Sequence, residues 1–160
     1  MRLAKKDSAL KSVSYAEALE GALCYGWIDG QKKGYDADSW LQRFTPRAPK
    51  SIWSEINRDK ALELIRKKRM KAAGLKAVEV AQQNGRWDAA YASAGRMTIP
   101  EDLRRELARD AKARAFFESL DAANRYAILF RLHQARKPET RAKRMELFLE
   151  MLRKGQKIHP

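Results

Sequence analysis

Cysteine and histidine are nearly missing from this chain. Its 160 residues hold one cysteine, Cys24, and two histidines, His133 and His159. A lone cysteine leaves no disulfide within the chain, which fits a reducing compartment. His133 has no second ligand at i+4 and His159 lies in the terminal tail, so neither a metal site nor a Ser-His-Asp triad is supplied. Glycine never forms a phosphate loop, because neither Gly-x-Gly-x-x-Gly nor Gly-Lys-Ser/Thr occurs. No apolar run approaches the roughly 20 residues that span a bilayer. The start, Met1–Arg2–Leu3–Ala4–Lys5–Lys6, lacks the apolar centre of a signal peptide. No period repeats and no segment is low in complexity. These absences lead us to expect a cytoplasmic protein with no metal, no cofactor and no catalytic residues.

Acidic residues are the scarce charge. Against 34 Lys and Arg stand 20 Asp and Glu, giving a net charge of +14 and a pI near 10.1. Such a balance favours acidic partners such as nucleic acid, anionic head groups or an acidic protein face. The basic residues run through the whole chain, the pattern of a solvated surface. Two clusters stand out: Arg47, Lys50, Arg58 and Lys60 with Arg66–Lys67–Lys68–Arg69, and Arg136, Lys137, Arg141, Lys143 and Arg144. Pro138 leaves a helix N-terminus beside the second cluster, so Lys137, Arg141 and Arg144 are candidate anion-binding residues. No RNP motif, zinc-finger spacing or basic zipper accompanies them. A nucleic-acid-binding module using the basic surface, with polyanion binding, is therefore the alternative reading, behind a non-enzymatic binding and stress-protection role.

What is abundant is helical pattern, and 44% of the residues are hydrophobic, enough for a core. Leu3–Ala4 reads as the end of a strand. Ser14 and Glu17 fit a capping box, opening a helix with the stripe Ala16, Leu19, Ala22 and Leu23 and stopping before Gly26. Ser51 is placed to cap a helix containing Ile52, Trp53, Ile56, Leu64 and Ile65, with a break near Asn57. A short helix with Leu75, Val78 and Ala81 closes at Asn84–Gly85. Trp87 and Tyr91 are expected to lock the end of the first domain. Pro100 opens a wholly helical region, with helices over 100–109, 112–119, 122–136 and 138–154; Asp121 caps the third, and Pro138 and Gly155 bound the fourth. The last helix carries the apolar face Ala142, Met145, Phe148, Leu149 and Leu152. The fold class expected is α+β: a small antiparallel sheet or hairpin packed on helices over 1–92, a linker over 93–98, and an all-α domain over 99–157.

Between Gly26 and Pro46 the pattern is different. Trp27–Lys33 and Trp40–Thr45 read as two strands joined by a turn at Gly34–Asp38. A register pairing Asp29 with Arg43 sets Ile28 against Phe44 and Trp27 against Thr45. Asp29 and Arg43 then form either a cross-strand tie or the polar end of a pocket walled by Trp27, Phe44 and Trp53. Cys24 is expected to be buried and inert. The candidate recognition surface is Tyr25, Trp27, Asp29, Arg43, Thr45, Arg47 and Trp53. A small-molecule pocket or an enzyme site at this hairpin is a further alternative.

The string Ser12–Val13–Ser14–Tyr15–Ala16–Glu17–Ala18–Leu19–Glu20, continued by Tyr25–Gly26–Trp27–Ile28–Asp29–Gly30, resembles the YdeI/OmpD-associated, or bacteriocin-protection, family. So do Arg43–Phe44–Thr45–Pro46–Arg47, Ser51–Ile52–Trp53–Ser54 with Asn57, and Gly85–Arg86–Trp87–Asp88–Ala89–Ala90–Tyr91. Ile99–Pro100–Glu101–Asp102–Leu103 to Lys137–Pro138–Glu139–Thr140–Arg141 resembles that family's short helical domain. The resemblance implies a role in resisting bacteriocins or cationic antimicrobial peptides, an outer-membrane porin as an associate, and no established catalysis or cofactor. It also implies a helix and most of a strand ahead of the segment beginning at Met1, and an exposed sheet edge where these are missing.

Overall fold

A computed structural model describes residues 1–160. The chain forms two compact units, Met1–Ala90 and Tyr91–Pro160, and the whole is of the α+β class, with a three-stranded antiparallel sheet and seven helices. No helix is long and apolar enough to cross a membrane.

The first unit runs β1 (Arg2–Ala4), α1 (Tyr15–Cys24), β2 (Trp27–Gly34), β3 (Ser39–Pro46), α2 (Glu55–Arg66) and α3 (Ala72–Gln83). The expected capping box opens α1: Ser14 accepts from the Glu17 amide, and Glu17 accepts from the Ser14 amide at 2.7 Å. The Ser14 bonds hold the Glu17 carboxyl below its ordinary pKa. Gly26, at φ +72°, turns the chain out of α1 into β2. The sheet order is β1-β3-β2. At the β2–β3 turn, Asp36 Oδ1 accepts from the Asp38 amide at 3.0 Å and from Ser39 Oγ at 2.6 Å.

The hairpin register differs by one residue from the sequence expectation. Trp27 pairs with Pro46, Ile28 with Thr45 and Asp29 with Phe44; a bulge then brings Lys32 opposite Gln42. Buried Gln42 holds the bulge, donating its side-chain amide to the Gly30 carbonyl at 2.9 Å.

The second correction concerns α2. Its cap is Ser54, which accepts from the Asn57 amide, and the helix continues unbroken through Asn57. Ser51 is engaged in the turn before it, where its Oγ accepts from the Ala48 amide and its own amide donates to the Ala48 carbonyl. Ile52 and Trp53 therefore precede the helix. Trp53 is buried edge-on against Trp87, with ring centroids 4.9 Å apart. Leu19, Leu23, Cys24, Ala61, Leu64, Val78 and Ala81 complete this core, with Phe44 packed on it from the sheet. Ile56 and Leu75, expected inside, are exposed. The cationic run Arg66–Arg69 ends α2 through Lys68 at φ +56°, with Lys67 paired to Glu63 and Arg69 to Glu20.

The second unit holds α4 (Glu101–Arg109), α5 (Ala111–Ser119), α6 (Ala122–His133) and α7 (Pro138–Arg153). Pro100 is the N-cap of α4 and Pro138 the first residue of α7. Asp110 and Asp121 cap α5 and α6 through the amides of Ala113 and Asn124. Leu103, Leu107, Phe117, Leu132, Phe148 and Leu152 centre the core, while Ala142 lies outside it. Tyr91 packs edge-on against Phe130 within this unit, so Trp87 and Tyr91 serve different cores. Asn124 is buried, and its Oδ1 accepts from the amides of Ile158 and His159, tying down the last residues.

Asp102 and Arg141 join α4 to α7 in a two-bond pair, Nε to Oδ2 at 2.5 Å and Nη2 to Oδ1 at 2.8 Å. The Arg141 hydrogen bond is the main reason the Asp102 carboxyl lies below its ordinary pKa. A carboxyl depressed in the folded state stabilises fully above its unfolded pKa and loses that stabilisation as pH falls through the folded value. Asp102→Asn should thus cost about 1 kcal/mol at neutral pH, discounted for partial exposure. It should also flatten the acid limb of stability, as read by urea melts across acidic pH.

Two helical glycines of the first unit should respond oppositely to alanine. A Cβ on Gly74 would meet the Cys24 carbonyl oxygen at 2.3 Å, whereas a Cβ on Gly21 meets nothing within 4 Å. Gly74→Ala should destabilise by about 1–3 kcal/mol, and Gly21→Ala should stabilise by about 0.5–1 kcal/mol. Thermal melts of the two variants check both signs.

Candidate functional site

A one-residue register decides which side chains share a face of the hairpin. Trp27, Asp29 and Phe44 share one face, because cross-strand partners point the same way. Arg43 and Thr45 alternate with Phe44 and point to the other. Arg43 is exposed there, so Asp29 and Arg43 form no pair. Asp29 instead accepts from the Tyr15 hydroxyl at 2.8 Å and, at 3.5 Å, from the Asn57 side-chain amide. It is a tie from the sheet to α1 and α2.

The seven sequence candidates separate into different places. Arg47 and Trp53 form a stack, with the guanidinium carbon 3.6 Å from the ring centroid and Nη1 donating to the Ile52 carbonyl at 3.1 Å. They line a cavity of about 240 Å³ whose other walls include Tyr25, Pro49, Ala77 and Val80. Tyr25 also borders a second and larger depression, together with Trp27. That groove, of about 600 Å³, has a floor of Ala18, Gly21 and Ala22 from α1, with Val13, Tyr25, Trp27, Phe44 and Met1 around it. Tyr25 is 56% exposed and Trp27 40%. A contiguous apolar surface of this kind, on a chain with so many charges, is a candidate binding surface. Its one carboxylate is that of Glu17, held by the Ser14 amide and hydroxyl.

Sequence reasoning found Tyr25 and Trp27 but missed the floor. The signal was present: Ala18, Gly21, Ala22 and the C-cap Tyr25 follow i, i+3, i+4, i+7 along α1, on a face beside that of Leu19 and Leu23. Such a face of small residues becomes meaningful only once Trp27 and Phe44 are placed beside it.

The candidate anion residues serve the end of α6. Arg141 Nη1 donates to the Leu132 carbonyl at 2.7 Å and Arg144 donates to the Arg131 carbonyl, as cations at a helix C-terminus do. Lys137 is the N-cap of α7, without a side-chain cap bond. Arg141 also borders a groove of about 520 Å³ between α4 and α7, where Arg105 and Arg153 alternate with Asp102, Glu106 and Glu146. No three His, Cys, Asp or Glu side chains converge as a metal-ligand group.

Residues 96–155 match the family model described as Bacteriocin-protection, YdeI or OmpD-Associated. The C-terminal unit is thus similar to YdeI/OmpD-associated domains. Residues 1–77 match a different model, described as a domain of unknown function (DUF8412). The strings around Tyr25–Gly30 and Arg43–Arg47 thus fall in that second match, and the YdeI/OmpD-associated match rests on the helical unit. No curated protein and no solved structure matches the chain. The residues matched by the YdeI/OmpD-associated model hold α4 to α7, while the apolar groove belongs to the preceding unit.

A double-mutant cycle separates the two accounts of Asp29. Asp29→Asn with Arg43→Ala should give a coupling near zero, and Arg43→Ala alone should change stability by less than about 0.5 kcal/mol. Asp29→Asn with Tyr15→Phe should give a coupling of about 0.5–1 kcal/mol in chemical denaturation.

Proposed function

We propose that this chain is a non-enzymatic, cytoplasmic binding protein that acts in bacteriocin protection by holding a polypeptide partner in the α1–β2–β3 groove. The role is supported at family level by the match of residues 96–155. The observation that carries the binding reading is the groove itself: two exposed aromatics, Tyr25 and Trp27, beside a small-residue floor. Pockets for small molecules bury most of their ligand, but this groove is broad, open and almost free of polar groups, which suits a polypeptide surface.

The net charge bears on how protection would work. At +14 the protein repels cationic antimicrobial peptides at long range. Direct sequestration of such peptides is therefore disfavoured, and protection through a neutral or acidic protein partner is favoured. A porin partner is suggested by the family description alone.

Gly21→Leu tests this reading. The added side chain enters open space above the α1 floor, and leucine is the better helix former, so the melting temperature should hold or rise. Cells expressing the variant should lose protection against a bacteriocin challenge. Full protection by a folded Gly21→Leu protein would remove the groove from the function.

A further inference from the structure

The smaller cavity of the first unit, about 240 Å³, has no part in the groove reading. Two segments wall it. One is the stretch after β3, Pro46–Ser51. The other is the α3 face Ala73, Lys76, Ala77 and Val80, spaced i, i+3, i+4, i+7. Hydrogen bonds hold both walls in place. The Arg47 amide donates to the Gly26 carbonyl at 2.9 Å, the Ser51 amide to the Ala48 carbonyl at 2.8 Å, and Asn84 Nδ2 to the Pro49 carbonyl at 2.9 Å. The last of these ties the end of α3 to the facing segment. The space between the walls is thus pre-organised, which lowers the cost of filling it.

The lining carries charge of one sign. Arg47 and Lys76 are cations, and no Asp or Glu lines the cavity. Arg47 is held at the wall by its stack on Trp53. Lys76 pairs with Glu79 at 2.9 Å, but that pair is exposed and its ammonium has three donors. The remaining walls are mainly apolar, from Pro46, Pro49, Ala77, Val80 and the Trp53 ring.

We propose that this cavity binds a small organic anion: a carboxylate carried on a compact apolar ring. Its volume falls below the roughly 300 Å³ at which pockets for drug-sized ligands begin, so the occupant has one ring or two fused rings. A bare inorganic anion leaves the apolar walls without contact. A neutral ring leaves the cationic side unanswered. The carboxylate lies toward Arg47 and Lys76, in the positive field they share, and the ring lies against the prolines and Val80. Recognition by field and shape leaves the bonds that Arg47 already makes in place. Tyr25 is the one residue that borders both this cavity and the apolar groove, so the two sites are otherwise separate.

The test is an amide NMR titration of the full chain with benzoate, naphthoate, benzamide and acetate. The two ring carboxylates should move the Gly26, Ser51 and Ala77 amides saturably, with a Kd of about 1 mM or tighter. Benzamide, without the charge, and acetate, without the ring, should each bind about tenfold more weakly. Lys76→Met, at an exposed position, should keep the fold and weaken both ring carboxylates about threefold while leaving benzamide unchanged, and Lys76→Arg should restore them. No saturable shift from either ring carboxylate overturns the proposal. Benzamide equal to benzoate reduces the cavity to an apolar void, and acetate equal to benzoate reduces it to an adventitious anion site; either overturns it too. Unchanged benzoate binding by Lys76→Met does the same. A peptide with a free C-terminal phenylalanine that binds about tenfold tighter than benzoate also overturns it, since the site would then read a chain terminus. Gly21→Leu, outside this cavity, should bind benzoate normally, so this proposal and the groove reading fail separately.

Discussion

The close seating of α3 against the turn that follows α1 fixes the geometry of the first unit. A Cβ on Gly74 would lie 2.3 Å from the Cys24 carbonyl oxygen, and one on Gly26 would lie 2.7 Å from the Ala73 carbonyl oxygen. The Lys71 amide donates to the same Cys24 carbonyl, and the Arg47 amide donates to the carbonyl of Gly26. One short turn is thereby held from α3 and from the end of β3 at once. Tyr25, within this turn, and Trp27, just after it, are both exposed. Backbone contact at two glycines thus decides where the exposed aromatics of the groove stand.

The second unit is organised by charge at helix ends. Asp110 and Asp121 open helices, Arg141 and Arg144 close α6, and Asp102 completes the Arg141 pair. Many of the cations behind the net charge are likewise engaged at short range, as in Lys67 with Glu63, Arg69 with Glu20 and Arg153 with Asp110. Surface pairs of this kind contribute little stability singly. They do lower the number of cations offered together to a polyanion. The excess that remains sets a diffuse positive field, which acts on encounter with charged partners more than on the fold.

The placement of chemistry follows the same division. The unit that matches the YdeI/OmpD-associated model is helical with a polar, mixed-charge groove, and the preceding unit carries the apolar one. Asp29, expected as a cross-strand tie to Arg43 or the polar end of a pocket, is a structural tie to Tyr15 and Asn57. Arg47, in the same stretch of sequence as Arg43, has a structural duty on Trp53. With those two residues accounted for, the apolar groove remains the feature of this unit that no internal packing uses.

Local chemistry in the sequence determined most of the elements. The Ser14–Glu17 box, the cap at Asp121, the helix start at Pro138, the stops at Gly26, Asn84–Gly85 and Gly155, and the hairpin between Trp27 and Thr45 are each written in a few adjacent residues. Where two adjacent signals competed, tertiary structure chose: Ser51 was taken by its own turn and Ser54 became the cap. The strand register was not local either. Period-two alternation fits either neighbouring register equally well, and the bulge held by Gln42 has no signature of its own. That single residue of slip moved Arg43 away from Asp29 and gave Trp27 and Phe44 a common face. The sequence therefore determined which residues form helices and strands. Only the packing of α1 against a sheet of that register decided that small residues on one helix and aromatics on two strands enclose a groove.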